Sequence, residues 1–186
     1  MITDQLALFL LILGGVVLIA IVIVIIFRRK LSYIFMRLQV DAVSGLPTFE
    51  SLNKYLKNRS KKETLILFLI DIDNFSRFNN QSKSLGDKVL RFFASELKKA
   101  VKKYALSMRY RNEDEFLLVV KEKNAIIVEE ILIELDNKLS YNGDPLNFCY
   151  GISVIECHDF DCFSPIKTAN EILLNKKQNR KVSKSN

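Results

Sequence analysis

This chain contains one histidine and three cysteines, and these low counts limit the catalytic and metal sites that it can form. The only histidine, His158, stands outside any cysteine–histidine catalytic pattern, so we interpret it as a loop residue. The three cysteines, Cys149, Cys157 and Cys162, are predicted to be free thiols in a reducing compartment. A zinc site made from these four side chains is the alternative, since the spacing of Cys157 and Cys162 just permits it. No internal repeat or low-complexity stretch is present.

Charge is absent from Leu6 to Phe27, where no strongly polar side chain occurs either. As a helix with about 1.5 Å per residue, this run would extend roughly 33 Å, close to the hydrocarbon thickness of a bilayer. We therefore predict a transmembrane helix at 6–27, preceded by a short extracytoplasmic N-terminus at 1–5. A cleaved signal peptide is the alternative, but no basic residue precedes the run.

The residues after this run carry the charge that sets orientation. Arg28, Arg29 and Lys30 follow at once, and by the positive-inside rule they place the rest of the chain in the cytoplasm. We expect a single-pass protein of the cytoplasmic (inner) membrane, with a juxtamembrane linker helix at 28–40. The net charge is +7, but no aromatic-rich pattern accompanies the basic clusters, so we predict no nucleic-acid partner.

Hydrophobic periodicity predicts an α+β domain over 41–182, followed by a tail at 183–186. The predicted strands are 64–70, 105–111, 115–121 and 146–155, and the predicted helices are 48–57, 86–103, 125–139 and 165–178. This order is the βαββαβ pattern of ferredoxin-like and palm-type folds. We expect a central mixed sheet flanked by helices, with the first strand beside the hairpin in the middle of the sheet.

Carboxylates accumulate where this topology brings two strand ends together. Asp71 and Asp73 end the first strand, and Glu113, Asp114 and Glu115 lie at the hairpin turn. Such a cluster could hold one or two Mg²⁺ ions, which would take nucleotide phosphates as further ligands. The alternative is that these acidic residues simply mark solvated turns.

Short motifs that occur in order from Asp41 to about Val182 resemble those of the GGDEF (diguanylate cyclase) domain family. These motifs are DAVSGLPT at 41–48, DIDNF at 71–75 with FN at 78–79, LGDKVL at 85–90, DEF at 114–116, YGIS at 150–153, and AN at 169–170 with LL at 173–174 and Lys177. Members of this family join two GTP molecules into cyclic di-GMP, using two Mg²⁺ ions and a dimer with one nucleotide per protomer. The resemblance covers the whole part of the chain that follows the predicted linker.

The resemblance implies roles for six residues. The metal ligands would be Asp71, the backbone carbonyl of Ile72, and Asp114, which would also be the catalytic carboxylate of an active domain. The nucleotide-binding residues would be Asn79 and Asp87, which read the guanine edge, and Lys177, which contacts phosphate. The partners that follow are GTP, a second copy in a homodimer, and a protein partner in the membrane.

The signature loop, Asn112-Glu113-Asp114-Glu115-Phe116, departs from the family where its two glycines should be. That turn must bring backbone N–H groups close to a triphosphate, and glycine permits both the approach and a positive φ. If Glu113 faced the phosphates, one like-charge pair at about 4 Å would cost about 4 kcal/mol at an effective dielectric near 20. We therefore predict a degenerate domain without robust cyclase activity that acts as a nucleotide-binding or assembly module.

Two alternatives to this prediction remain. The chain could instead be an active diguanylate cyclase with a tolerant loop, or a purely structural subunit of a membrane complex.

Two further departures from the family accompany the lost glycines. Arg109 takes the place of the family's arginine before the glycines only if the turn has gained one residue. The stretch Lys102–Ala105 lacks the arginine and aspartate of the R-x-x-D product site, so we predict no allosteric product site.

Overall fold

A computed structural model of the chain describes residues 13–15, 17–27, 40–57, 63–111, 114–155 and 163–185. The chain divides into two compact units, Met1–Gln39 and Val40–Asn186. In the first unit, the described residues are helical, and their large apolar side chains are exposed. None of the helices in the described ranges combines the length and hydropathy needed to cross a bilayer, so the span predicted at 6–27 is not found there. Residues 1–12 and most of the predicted linker lie outside the described residues.

The second unit is built on a four-stranded sheet. The strands of this unit are β1 (Leu65–Ile72), β2 (Ala105–Tyr110), β3 (Glu115–Lys121), β4 (Ser140–Tyr141), β5 (Asp144–Pro145) and β6 (Phe148–Ile155). The main sheet has the order β2-β3-β1-β6, and β4 pairs with β5 in a small separate hairpin. The first strand therefore lies beside the hairpin in the middle of the sheet, as predicted.

The strand directions correct part of the sequence prediction. All three ladders of the main sheet are antiparallel. The parallel pairing found among the described residues is a single isolated bridge between Thr48 and Arg109, so the expected mixed sheet is mixed only there. The reason is topological, because β3 is inserted between β1 and β2 and keeps these two parallel strands from pairing.

Helices cover both faces of the sheet, which explains why β1 is apolar along nearly its whole length. They are α1 (Glu50–Lys57), α2 (Ser76–Gln81), α3 (Lys83–Val101), α4 (Ala125–Lys138) and α5 (Phe163–Ser185). One core cluster joins the sheet to α3 and α4 around Phe93, Phe116 and Phe148. The other joins the opposite face to α1 and α5 through Leu52, Ala169 and Leu173.

Several element boundaries differ from the predicted ones. Helix α2 was not predicted, and α3 begins three residues before Gly86, because the hydroxyl of Ser82 accepts a hydrogen bond from the N–H of Leu85 at 3.1 Å and caps it. The small β4–β5 hairpin was also not predicted. Its turn is Asn142-Gly143, whose positive φ angles of 53° and 90° suit the backbone of a two-residue hairpin turn. Helix α5 extends beyond the predicted 165–178 at both ends.

Candidate functional site

Acidic residues from β1 and from the β2–β3 hairpin meet at one end of the sheet. Asp71 is the register partner of Glu115, and the N–H of Ile72 donates to the carbonyl of Asp114 at 3.4 Å. Because β1 and β3 run antiparallel, the end of β1 must meet the beginning of β3. The predicted convergence is therefore confirmed for those of the carboxylates that the structure describes, with Asp73 directly after the strand.

The side chain of Asp71 is the most constrained member of this group. It is 14% exposed and forms an ion pair with Lys177, whose ammonium donates to Oδ1. Burial raises the pKa of Asp71, and the neighbouring charges of Asp114 and Asp73 raise it further, while Lys177 opposes them. The effects of Asp114 and Asp73 show that negative charge is crowded at this end of the sheet.

The oxygen atoms at this end of the sheet are of the types that Mg²⁺ binds. Asp71 and Asp114 offer carboxylate oxygens, and the carbonyl of Ile72 points to the side of β3, as its N–H does. Within the described part of the chain, no three His, Cys, Asp or Glu side chains are grouped closely enough to hold an ion by themselves. An ion at this place would therefore need phosphate or water oxygens as additional ligands, which Mg²⁺ commonly has.

The two residues predicted to read guanine are brought together by α2 and α3. Asn79 is exposed on α2, and its Oδ1 lies only 1.9 Å from where a Cβ on Gly86 would be. The amide of Asn79 thus packs directly on the backbone of Gly86, next to Asp87 in the first turns of α3. Glycine leaves room for the amide at this position, because the Cβ of any other residue would occupy its place.

Arg180 on α5 is a charged residue at this end of the sheet that sequence reasoning missed. Its guanidinium donates to Asp73 Oδ2 at 3.0 Å, to Asp136 Oδ2 at 2.7 Å and to the carbonyl of Phe148 at 3.0 Å. Burial lowers the pKa of Arg180, but the hydrogen bond and charge of Asp136 outweigh it and leave the pKa raised. The three-residue spacing from Lys177, which puts both cations on one side of the helix, was the available signal.

Arg109 is buried beneath the signature rather than placed in its turn. It is 4% exposed, and its guanidinium lies 4.7 Å from the ring centroid of Phe116, its register partner on β3. Its Nε and Nη1 have no hydrogen-bond partner among the residues that the structure describes. Burial lowers the pKa of Arg109, while the charges of Asp41 and Asp114, followed by Asp87, oppose that change.

Some predicted residues lie outside the described ranges. Asn112 and Glu113 of the signature loop are among them, as are Cys157, His158 and Cys162 of the alternative zinc set. The remaining residues of the loop are described, and Phe116 is fully buried in the core. Cys149 is a buried free thiol, and burial raises its pKa to about 11.

Comparison with known families agrees with the fold. The family model described as "Diguanylate cyclase, GGDEF domain" matches residues 38–183. The chain therefore belongs to the GGDEF domain family, as the sequence motifs indicated.

Relatives with assigned names are diguanylate cyclases. Diguanylate cyclase A of Treponema denticola is 30% identical over 128 residues, which are 64% of this chain and 34% of that protein. DgcZ of Escherichia coli is 35% identical over 100 residues, which are 51% of this chain and 33% of that protein. DgcP of Pseudomonas aeruginosa is 28% identical over 118 residues, which are 58% of this chain and 17% of that protein. The chain thus matches a third or less of most of these relatives' lengths.

Solved structures share the fold. The diguanylate cyclase SiaD of Pseudomonas aeruginosa, crystallised in complex with its activator SiaC, has a TM-score of 0.77 at 19% identity, covering 96% of this chain and 73% of that one. The coiled coil and GGDEF domain of DgcB from Caulobacter crescentus, in complex with c-di-GMP, has a TM-score of 0.69 at 20% identity, covering 90% and 95%. At these identities the likeness establishes the fold alone.

Proposed function

We propose that this chain is a membrane-tethered, degenerate GGDEF module that binds GTP with Mg²⁺ and makes little or no cyclic di-GMP. Its role would be to present a nucleotide-loaded surface to partners in cyclic-dinucleotide signalling or in a membrane complex. The observation that carries this proposal is the contact of Asn79 with Gly86 beside Asp87. The family resemblance predicts that Asn79 and Asp87 read guanine, and they occur in a chain whose signature turn lacks both glycines.

Guanine binding is supported by the chemistry of that pair. A carboxamide offers both a donor and an acceptor, and a carboxylate accepts hydrogen bonds from two N–H groups at once. Asn79 and Asp87 together therefore match the guanine edge, which presents an acceptor next to donors. Gly86 leaves the space in which the amide of Asn79 is held.

Phosphate and metal binding are supported by the end of the sheet where β1 meets the β2–β3 hairpin, since α2, which carries Asn79, begins shortly after that end of β1. Mg²⁺, held by Asp71, the carbonyl of Ile72 and Asp114, would supply charge neutralisation for a triphosphate. Lys177 and Arg180 bring two cations to this end from α5. Their contribution would be to orient the phosphates and to limit the repulsion between the nucleotide and the crowded carboxylates.

Weak cyclase activity follows from the replaced glycines. Cyclisation requires the triphosphate to be held close to backbone N–H groups of the turn, and a Glu113 carboxylate facing it would weaken that hold by about a thousandfold, the equivalent of about 4 kcal/mol. The residues that would bind the base lie on α2 and α3, so base binding does not depend on this turn. GTP binding is therefore separable from its conversion.

An active diguanylate cyclase is the second candidate. It is favoured by the convergence of Asp71 with Asp114 and by the names of the relatives, and it would need a homodimer that brings two nucleotides together. If the Glu113 side chain points to solvent, the repulsion disappears. A purely structural subunit of a membrane complex, with no nucleotide, is the remaining alternative.

The proposed tether rests on the uncharged run at 6–27. Residues 17–27 are helical, and their large apolar side chains are about half exposed or more, which water disfavours and a bilayer would accept. The basic residues at 28–30 orient the run with residues 1–5 outside and the GGDEF domain in the cytoplasm. Protease protection of the N-terminus in inverted membrane vesicles tests this orientation.

The proposed function is tested by restoring the glycines. The full chain in lipid nanodiscs, with GTP and Mg²⁺, is expected to show a saturable thermal shift, about 2.7 kcal/mol of stabilisation at a hundred times the dissociation constant. The variant Asn112→Gly/Glu113→Gly should keep that shift and gain cyclic di-GMP synthesis, while Asp87→Ala should lose the shift. No shift in the parent chain would favour the structural subunit, and no gain of synthesis in the glycine variant would refute the explanation from the turn.

A further inference from the structure

Strand β6 is an outer strand of the main sheet, because β1 is its neighbour on one side and no described strand lies on the other. Its first residues show which backbone groups point away from β1. The carbonyl of Asn147 accepts from the N–H of Asp73 at 2.9 Å, so it points towards β1. The backbone groups of the next residue, Phe148, must then point outward, since they alternate along an antiparallel strand.

The outward groups of Phe148 are satisfied by two side chains. Its N–H donates to Asp136 Oδ1 at 2.8 Å, and its carbonyl accepts from Arg180 Nη1 at 3.0 Å. These side chains are themselves joined at 2.7 Å, so together they take the place of a neighbouring strand. Natural sheets often protect an outer strand with side chains in this way.

This protection does not continue along the strand. By the same alternation, the next outward N–H and C=O groups are those of Tyr150, Ile152 and Val154. In the ranges that the structure describes, these groups have no hydrogen-bond partner. Val154 is also 51% exposed, so the unprotected part of β6 presents both backbone groups and an apolar side chain.

A trough begins beside the capped Phe148 and reaches the first unprotected residue, Tyr150. It contains a cavity of about 540 Å³ that is lined by Cys149 and Tyr150 of β6, by Ile133, Asp136 and Asn137 of α4, and by Lys176, Asn179 and Arg180 of α5. Ile133 is 51% exposed, although it lies next to a cavity. At Tyr150 the edge thus lies between two helices, and the cavity offers apolar, amide and charged side chains to whatever enters.

We propose that the outer edge of β6 binds an extended segment of a partner protein, which adds a fifth strand in this trough. The segment would place an apolar side chain against Ile133 and Tyr150 and a carboxylate against Lys176. Strand addition of this kind takes its affinity from backbone hydrogen bonds and its specificity from the flanking side chains. The proposal is independent of the proposed GTP binding.

Two observations select this occupant. A second copy of the chain would bring its own α4 and α5 beside Tyr150, and two edges that are both flanked by helices at this residue cannot approach there to the strand spacing of about 4.8 Å. A single extended segment can. Charge selects the acidic residue: Lys177 is paired with Asp71, whereas Lys176 lies 4.2 Å from the ring centroid of Tyr150 and has no carboxylate partner among the described residues.

The test is a selection from a random peptide display library against the full chain, followed by fluorescence anisotropy with the enriched peptides. We expect peptides that alternate apolar and polar residues and include an acidic one. Lys176→Glu should weaken their binding by about tenfold, because it replaces attraction with repulsion. Lys167→Glu, at another exposed lysine earlier on α5, is the matched control and should leave binding unchanged.

Backbone pairing is tested separately. Ile152→Pro removes an outward N–H without removing a bond to β1, so it should abolish binding while retaining the thermal unfolding of the domain. If that variant does not fold, Ile133→Asp replaces it, with the same expected loss. Hydrogen exchange at Tyr150, Ile152 and Val154 should slow when peptide binds. The proposal is overturned if no peptide is enriched, or if enriched peptides bind equally well to Lys176→Glu and to whichever of the other two variants folds.

Discussion

Replacing Gly86 by alanine should weaken GTP binding while leaving the GGDEF domain folded. The added Cβ would lie 1.9 Å from Asn79 Oδ1 and 3.1 Å from its Cγ, so the amide must retreat by about 1.5 Å to reach ordinary van der Waals contact. This retreat has little cost for the fold, because Asn79 is exposed and its side chain can rotate. Alanine also favours a helix over glycine by about 1 kcal/mol.

The substitution should instead lower the affinity for the nucleotide. Moving the amide forfeits one or two hydrogen bonds to guanine, about 1–3 kcal/mol, which corresponds to a roughly fivefold to 150-fold weaker dissociation constant. The assay is isothermal titration with GTP and Mg²⁺, accompanied by thermal unfolding. Ser95→Ala, an exposed position on the same helix, controls for the change in helix propensity.

A double variant shows whether the effect passes through Asn79. In an Asn79→Ala background the amide is already absent, so Gly86→Ala should add no further loss of GTP affinity. Two outcomes would refute the reasoning. One is a Gly86→Ala chain that binds GTP as well as the parent does, and the other is a loss that is fully additive with Asn79→Ala.

Gly151→Ala should lower the free energy of unfolding by about 1–3 kcal/mol or more, because its Cβ would lie 1.8 Å from the backbone oxygen of Ala169, which cannot rotate away; an unchanged melting temperature would contradict this packing of α5 on β6. Cys149 should react slowly with iodoacetamide at pH 8, since with a pKa of about 11 only about one thiol in a thousand is ionised, and rapid labelling in peptide mass maps would argue against its burial. Burial and the charge of Asp114 raise the pKa of Asp71, so the folded state binds this proton more tightly than the unfolded state, and the stability gained from it is lost as the pH rises from 3.8 through the raised value. At neutral pH the Asp71 carboxylate is therefore unfavourable, and Mg²⁺ alone should raise the melting temperature of the parent chain but not that of Asp71→Asn.

The central strands and the carboxylate cluster were predictable because each rests on a short-range pattern. The run from Thr64 to Ile70 is apolar and of strand length, and the hairpin strands flank a polar turn. Once those strands are paired, Asp71 and Asp114 lie at the same end of the sheet. The predicted mixed sheet was less accurate, because strand direction depends on which strand is inserted between two others, a long-range property.

Other features were missed for identifiable reasons. Helix α2 is short and polar on most of its surface, so it has no clear hydrophobic periodicity. Helix α3 begins before Gly86 because the hydroxyl of Ser82 caps it. The Asn142-Gly143 pair is itself a local signal for a two-residue hairpin turn. Arg180 was missed because its partners, Asp73 and Asp136, are distant in the sequence and meet it only after α5 packs on the sheet.

The central claim, that GTP binding persists without appreciable cyclisation, is tested most directly by mass-spectrometric quantification of cyclic di-GMP. The full chain in nanodiscs would be incubated with saturating GTP and either Mg²⁺ or Mn²⁺, with Asp114→Ala as the matched control. We expect GTP to remain bound and unconverted, with product no more abundant than in Asp114→Ala. Product that accumulates over many turnovers in the parent chain and disappears in Asp114→Ala would contradict the account.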